Sequence, residues 1–146
     1  MTSLTITSAL MPTTEAEPVR VAVGVIQRDD FILIAKRPAH LHQGGLWEFP
    51  GGKIQLGEPA VGALVRELEE EIGIQISSED PEYLFSVRWD YPDKQVMLEI
   101  YLVDKFSGDP EGKEGQPVKW VRPEELGEYQ FPEANARILR WILETN

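Results

Sequence analysis

Val19, Val21, Val23 and Val25 fall on every second position. That is the period at which side chains of an extended chain face the same way, and it predicts a strand over residues 19–27. Asp29-Asp30 reads as a turn, and the apolar run of residues 31–36 as a second short strand hairpinned to the first. Residues 40–45 form a loop, in which His40 and His42 have no metal-ligand spacing. Around Pro50-Gly51-Gly52 the chain is punctuated by glycine, as expected where side chains would obstruct. Gly57-Glu58-Pro59 opens a helix, with Pro59 at its first position, and Gly73 stops it just beyond Ile72. Residues 82–89 and 94–103 predict two strands around Tyr91-Pro92-Asp93, and residues 118–121 another. Ala136, Leu139, Ile142 and Leu143 have helical spacing within a terminal helix over 132–143. The order predicts an α/β (α+β) domain: a mixed, partly antiparallel sheet with helices packed on it.

The central helix carries the first sign of chemistry. With Val61 at zero and about 100° per residue, Leu64, Val65, Leu68 and Ile72 lie within about 60° of zero and make one buried stripe. Glu67, Glu70 and Glu71 lie at about 240°, 180° and 280°, while Glu69 falls on the far flank near 80°. A solvated face is the ordinary reading of an acidic run. Here, however, like charges three and four apart destabilise a helix by about 0.2–0.5 kcal/mol per pair, and they stand at the wrong end of its dipole. A hard cation such as Mg²⁺ would relieve both effects, because it takes oxygen ligands and leaves room for water and phosphate. Arg66, beside Glu67, can hold a glutamate or a water through its planar fork.

The 146 residues fit one domain over 19–146, preceded by a mobile leader over 1–18 that lacks the basic start and apolar core of a signal peptide. No cysteine is present, which excludes disulfides, cysteine-bound zinc and thiol catalysis. No apolar run is long enough to cross a bilayer, so a cytoplasmic protein without a membrane partner is expected. The net charge of −11 argues against a nucleic acid polymer as partner. A small anionic substrate would need a local basic pocket or a divalent metal.

From Gly52 the chain runs through five residues to Glu58, then seven more to Arg66-Glu67-Leu68-Glu69-Glu70-Glu71-Ile72-Gly73-Ile74. This fills all nine specified positions of G-x5-E-x7-R-E-U-x-E-E-x-G-U, with U apolar, and the chain is identified as a member of the Nudix superfamily. The resemblance implies a mixed β-sheet sandwiched between helices, with the motif as a loop–helix–loop. It also implies Mg²⁺-dependent hydrolysis of a nucleoside diphosphate linked to a further group, with Mn²⁺ able to substitute. Carried over by residue, Glu67 and Glu71 would be principal metal ligands and Glu70 a ligand directly or through water. A carbonyl of the Gly51-Gly52 turn would add another. Glu67 would also accept the proton of the attacking water, oriented by Arg66, with Glu58 supporting Arg66.

Beyond the motif, Trp47-Glu48-Phe49-Pro50-Gly51-Gly52-Lys53 and Gly112-Lys113-Glu114-Gly115-Gln116-Pro117 resemble MutT-type enzymes. The first stretch places Glu48 among the substrate residues, and the second implies that Glu114 supplies a metal ligand from a loop. Phe131-Pro132-Glu133-Ala134-Asn135 resembles the MutT segment whose asparagine reads an oxidised guanine. Asn135 alone would be read as a helix cap, yet its carboxamide both donates and accepts, as a purine edge does. Arg37 would lie near the nucleotide, Phe49 in the base pocket, and Lys94 beside the base through its backbone. Lys53 would touch phosphate or be a plain surface lysine. The resemblance thus implies an 8-oxo-dGTP diphosphatase that yields monophosphate and pyrophosphate, a monomer or weak homodimer. Action on CTP, dCTP or another nucleoside diphosphate derivative is the alternative. A non-catalytic nucleotide-sensing module is the reading from another class, although the box glutamates such modules lose are all present.

Overall fold

The computed structural model describes residues 17–41 and 44–146. The leader expected over 1–18 therefore lies outside the described residues up to residue 16, as does His42. Among the described residues seven strands form: β1 (Val19–Arg28), β2 (Phe31–Lys36), β3 (Trp47–Glu48), β4 (Gly51–Lys53), β5 (Glu82–Asp90), β6 (Gln95–Val103) and β7 (Val118–Val121). The α-helices α1 (Ala60–Ile72) and α2 (Ala136–Thr145) join them among the same residues, with 3₁₀ turns at Pro123–Glu128 and Glu133–Asn135. Among the described residues no helix is long and apolar enough to cross a membrane.

β1 is the axis of the sheet. It runs parallel to β6 from Val19 against Val96 to Ile26 against Val103, and β5 pairs antiparallel with the far side of β6. Its other edge is divided. Val21–Val23 pair with β4, and only Gln27 and Arg28 pair with β2. The expected hairpin of the first two strands is thus confined to its tip. β4 occupies the rest of that edge, and β2 turns away to pair with β3 and β7.

Both faces of β1 are covered, which explains why residues 22–26 are buried without interruption. Val23 and Val25 join a core with Ile34, Leu98, Ile100, Ile138 and Ile142, so this face lies under α2. Ala22 and Ile26 join Ala63, Leu64, Leu68, Ile72 and Val103 under α1. Leu64, Leu68 and Ile72 are fully buried, as the helical stripe required, while Val65 is only half-buried. Truncating such a leucine to alanine costs about 2–5 kcal/mol. The mixed sheet between helices agrees with the expected fold class.

Three local expectations are corrected. Pro59 is the residue before the helix, with extended backbone (φ −66°, ψ 148°), and Ala60 is the first helical residue. Gly51 and Gly52 lie in a strand, not a turn. The terminal helix begins as a 3₁₀ turn over Glu133–Asn135 and becomes α-helical at Ala136. Gly73 behaves as expected: at φ 74° it donates its N–H to the carbonyl of Glu69 and ends α1.

Candidate active site

Arg66 ties the start of α1 to its acidic face. Its Nε and Nη2 each donate to one oxygen of Glu58 at 2.9 Å, its Nη1 donates to Glu67 Oε2 at 2.8 Å, and its Nη2 also reaches the carbonyl of Lys53 at 3.0 Å. Glu70 approaches the same guanidinium at 3.6 Å but stays largely exposed. Glu58 in turn accepts the Gln55 N–H at 2.9 Å. The Arg66 hydrogen bonds first, and the Gln55 N–H second, hold the Glu58 carboxyl down at about 2. Glu58 thus fixes the arginine, and the arginine fixes Glu67.

The two glycines before the helix are required by close approach, since neither has a positive φ. A Cβ on Gly51 would run into the Ala22 carbonyl across the β1–β4 ladder, and one on Gly52 would occupy the space of the Glu67 carboxyl group. The bare backbone therefore lies directly against the acidic helix. The Gly51 N–H donates to Glu71 Oε1 at 3.2 Å.

Glu71 is the most perturbed carboxyl. Burial, then the charges of Glu48, Glu67 and Glu114, push it up to about 8, with the Gly51 N–H opposing them. Among the described residues no three acidic or histidine side chains stand assembled as a closed cage. Glu67 is turned toward Arg66 and Glu71 toward Gly51. The donor set still fits a hard divalent cation. It consists of carboxylates that repel one another across a short span beside an unshielded backbone, and such an ion would offset that repulsion.

Glu71 also lines a cavity of about 210 Å³ that gathers Arg37, Glu48, Phe49, Gly51, Gly52, Lys53, Lys94, Glu114 and Asn135. Ten residues expected in the site, including Glu71, thus share one wall system, while Glu58, Arg66, Glu67 and Glu70 form the ion-pair network beside it. Arg37 Nη1 donates to Glu48 Oε1 at 2.7 Å within the cavity. Burial pushes the Glu48 carboxyl up, and Arg37 counteracts it. Burial, then the charges of Lys53 and Arg37, pulls the Lys94 ammonium down. A protein of net charge −11 therefore concentrates three cations at one cavity.

At the other end, Phe49 is buried and stacks on Phe131, ring centres 5.1 Å apart. Asn135 is only 8% exposed, the one polar residue buried in the core region among the described residues. It stands at the N-cap position of α2 but makes no side-chain cap hydrogen bond, so the cap reading holds for its place in the chain and not for its side chain. Sequence reasoning missed Tyr91. Its Oη accepts the Ala134 N–H at 3.0 Å and so anchors the turn that carries Asn135. The only signal was an amphipathic ring at a turn between two strands.

A NUDIX domain model matches residues 21–141. The chain is 40% identical over 124 residues to the Escherichia coli 8-oxo-dGTP diphosphatase, covering 82% of this chain and 92% of that protein. It is 38% identical over 121 residues to the Escherichia coli CTP pyrophosphohydrolase, covering 83% and 88%. A MutT structure from work on Aliivibrio salmonicida and Vibrio cholerae superimposes with a TM-score of 0.75 at 36% identity, covering 89% of this chain and all of that one.

Proposed function

This chain belongs to the Nudix family, and from that premise we propose that it hydrolyses 8-oxo-dGTP, in preference to other nucleoside triphosphates, to the monophosphate and pyrophosphate. The cofactor in this reading is Mg²⁺, held by Glu67, Glu70, Glu71, Glu114 and a carbonyl of Gly51 or Gly52. The activity would clear oxidised guanine from the cytoplasmic nucleotide pool before it is copied into DNA. The observation that carries the reading is Asn135. A buried carboxamide lines the same cavity as Glu71, so base recognition and the acidic helix face one ligand.

When bound, the metal offsets phosphate charge and acidifies the attacking water. Glu67 takes the proton of that water, and Arg66 holds the Glu67 carboxylate in line. The water oxygen bonds to the β-phosphorus as the bridge to the α-phosphate breaks, and the leaving monophosphate keeps the bridging oxygen. Arg37, Lys53 and Lys94 offset the remaining charge. Asn135 pairs with the purine edge beside Phe49. A buried pair of this kind disfavours any base that leaves it unmatched.

The similarity to a CTP pyrophosphohydrolase makes cytidine nucleotides the second reading. Pyrophosphate release from 8-oxo-dGTP, dGTP and CTP, compared as kcat/KM with Mg²⁺, separates the two. The oxidised nucleotide should lead, and Asn135→Ala should cost it at least tenfold more than it costs dGTP. A lead for CTP, or equal losses in the variant, would overturn the assignment.

A further inference from the structure

Glu114 comes from a loop whose backbone is hydrogen-bonded to the last carbonyls of α1. The Glu111 N–H donates to the carbonyl of Ile72 at 3.0 Å and the Lys113 N–H to that of Glu71 at 3.0 Å. These are carbonyls a helix leaves without internal partners at its C-terminal end. Gln116 adds a different kind of contact. Its Nε2 donates to the Glu71 carbonyl at 3.1 Å, and its Oε1 accepts the Glu114 N–H at 3.0 Å. Only one orientation of the amide satisfies both. One planar group therefore bridges the backbones of Glu114 and Glu71, two of the three acidic residues that line the cavity, one from the loop and one from α1. The loop is drawn tight around it: Gly115 turns at φ 85°, and a Cβ on Gly112 would strike the Gln116 carbonyl.

We propose that Gln116 is a positioning residue, whose carboxamide sets Glu114 against Glu71 so that loop and helix present their carboxylates to one cation. The inference rests on the reading of Glu71 and Glu114 as metal ligands. Because Lys113 and Glu111 keep the loop attached, losing the amide frees Glu114 without detaching the loop. Outer partners that orient ligands typically govern metal affinity by about 10–100-fold.

The test is Mn²⁺ binding alone, followed by the electron paramagnetic resonance of the free ion, with urea unfolding in parallel. Q116A should weaken Mn²⁺ about tenfold while the protein unfolds in one transition near the wild-type midpoint. E114A should weaken it at least as much, and the double variant should match E114A, since Gln116 acts through Glu114. Wild-type affinity in Q116A, or a further loss in the double variant, overturns the proposal. Unchanged affinity in E114A sinks the ligand reading together with it, whereas a weak E114A beside a normal Q116A sinks the proposal only. Should Q116A not fold, Q116E keeps the acceptor for the Glu114 N–H and loses the donor to the Glu71 carbonyl. A loss of similar size is then expected, and wild-type affinity overturns the proposal.

Discussion

Substituting alanine for Gly52 places a methyl group inside the space of the Glu67 side chain, 2.5 Å from its Cγ and closer still to its carboxyl carbon. Carbon atoms prefer separations of about 3.5–4.0 Å, so one of the two must move by about 1 Å or more. Glu67 is the one that can, because its outer atoms swing on free torsions while Gly52 is held in the β4 ladder. Rotating away breaks the 2.8 Å bond to Arg66. Both partners are a fifth to a quarter exposed, so solvent screening holds the stability loss to about 1 kcal/mol, or about 3–4 °C in Tm. Arg66 keeps both bonds to Glu58. Turnover should fall far more, by about 10²–10⁴-fold, the range for a displaced general base. Gly51→Ala gives the contrast. Its Cβ meets the Ala22 carbonyl and, at 2.9 Å, the Val23 Cα, both backbone atoms that cannot rotate aside. It should cost about 1–3 kcal/mol or more as an overpacked site. Urea unfolding and pyrophosphate release on both variants decide the matter. Gly52→Ala with activity within threefold of wild type would refute the placing of Glu67, and Gly52→Ala as unstable as Gly51→Ala would refute the argument from side-chain freedom.

Tyr91→Phe leaves the Ala134 N–H without its acceptor, at a cost of about 1–3 kcal/mol. It should raise KM for the preferred nucleotide more than it lowers kcat, and unchanged KM would separate Tyr91 from base binding. Glu71, pushed up to about 8, holds a proton in the folded metal-free protein across a window where the unfolded chain, near pKa 4.3, has lost it. Metal-free stability should therefore decline as pH rises from about 4.5 to about 8, while metal affinity climbs by up to about tenfold per unit. Calorimetric titration with metal at pH 7 in two buffers of different ionisation enthalpy should register close to one proton released, and none would contradict the shift. Arg66→Lys cannot reproduce the paired hydrogen bonds to Glu58 together with those to Glu67 and the Lys53 carbonyl. It should lose about 10–100-fold in kcat with little change in KM, measurable on the same substrate panel.

Period and punctuation made the regular elements readable. The runs at 31–36 and 118–121 match their strands, and Gly73 marks the end of α1. The acidic wheel separated Glu69 from Glu67, Glu70 and Glu71; in the structure Glu71 enters the cavity and Glu67 and Glu70 lie against Arg66, while Glu70 is exposed as Glu69 is. Pairing across the chain was not readable. Nothing near Gly51 announces that Val23 lies opposite it in a ladder, and nothing near Phe31 shows that β4 has already claimed the edge of β1. The burial of Asn135 was hidden for the same reason, because it depends on Tyr91, some forty positions away, holding the turn. Spacing and resemblance named the candidate residues, and long-range contacts decide how each is placed.

The parallel partnership of β1 with β6 has a consequence for how the enzyme comes into being. Every acidic residue of α1 has been synthesised by residue 71, yet the strand that completes the sheet beneath that helix begins at Gln95. A helix of 13 residues is marginal in water without a surface to bury against, and Val103 of β6 belongs to the apolar floor under α1. The β5–β6 hairpin forms from neighbouring sequence, whereas docking it on β1 closes a loop that spans most of the domain, a slow step by topology. During translation the chain thus carries the acidic groups of α1 well before β6 can dock on β1 and complete the sheet against which that helix is held.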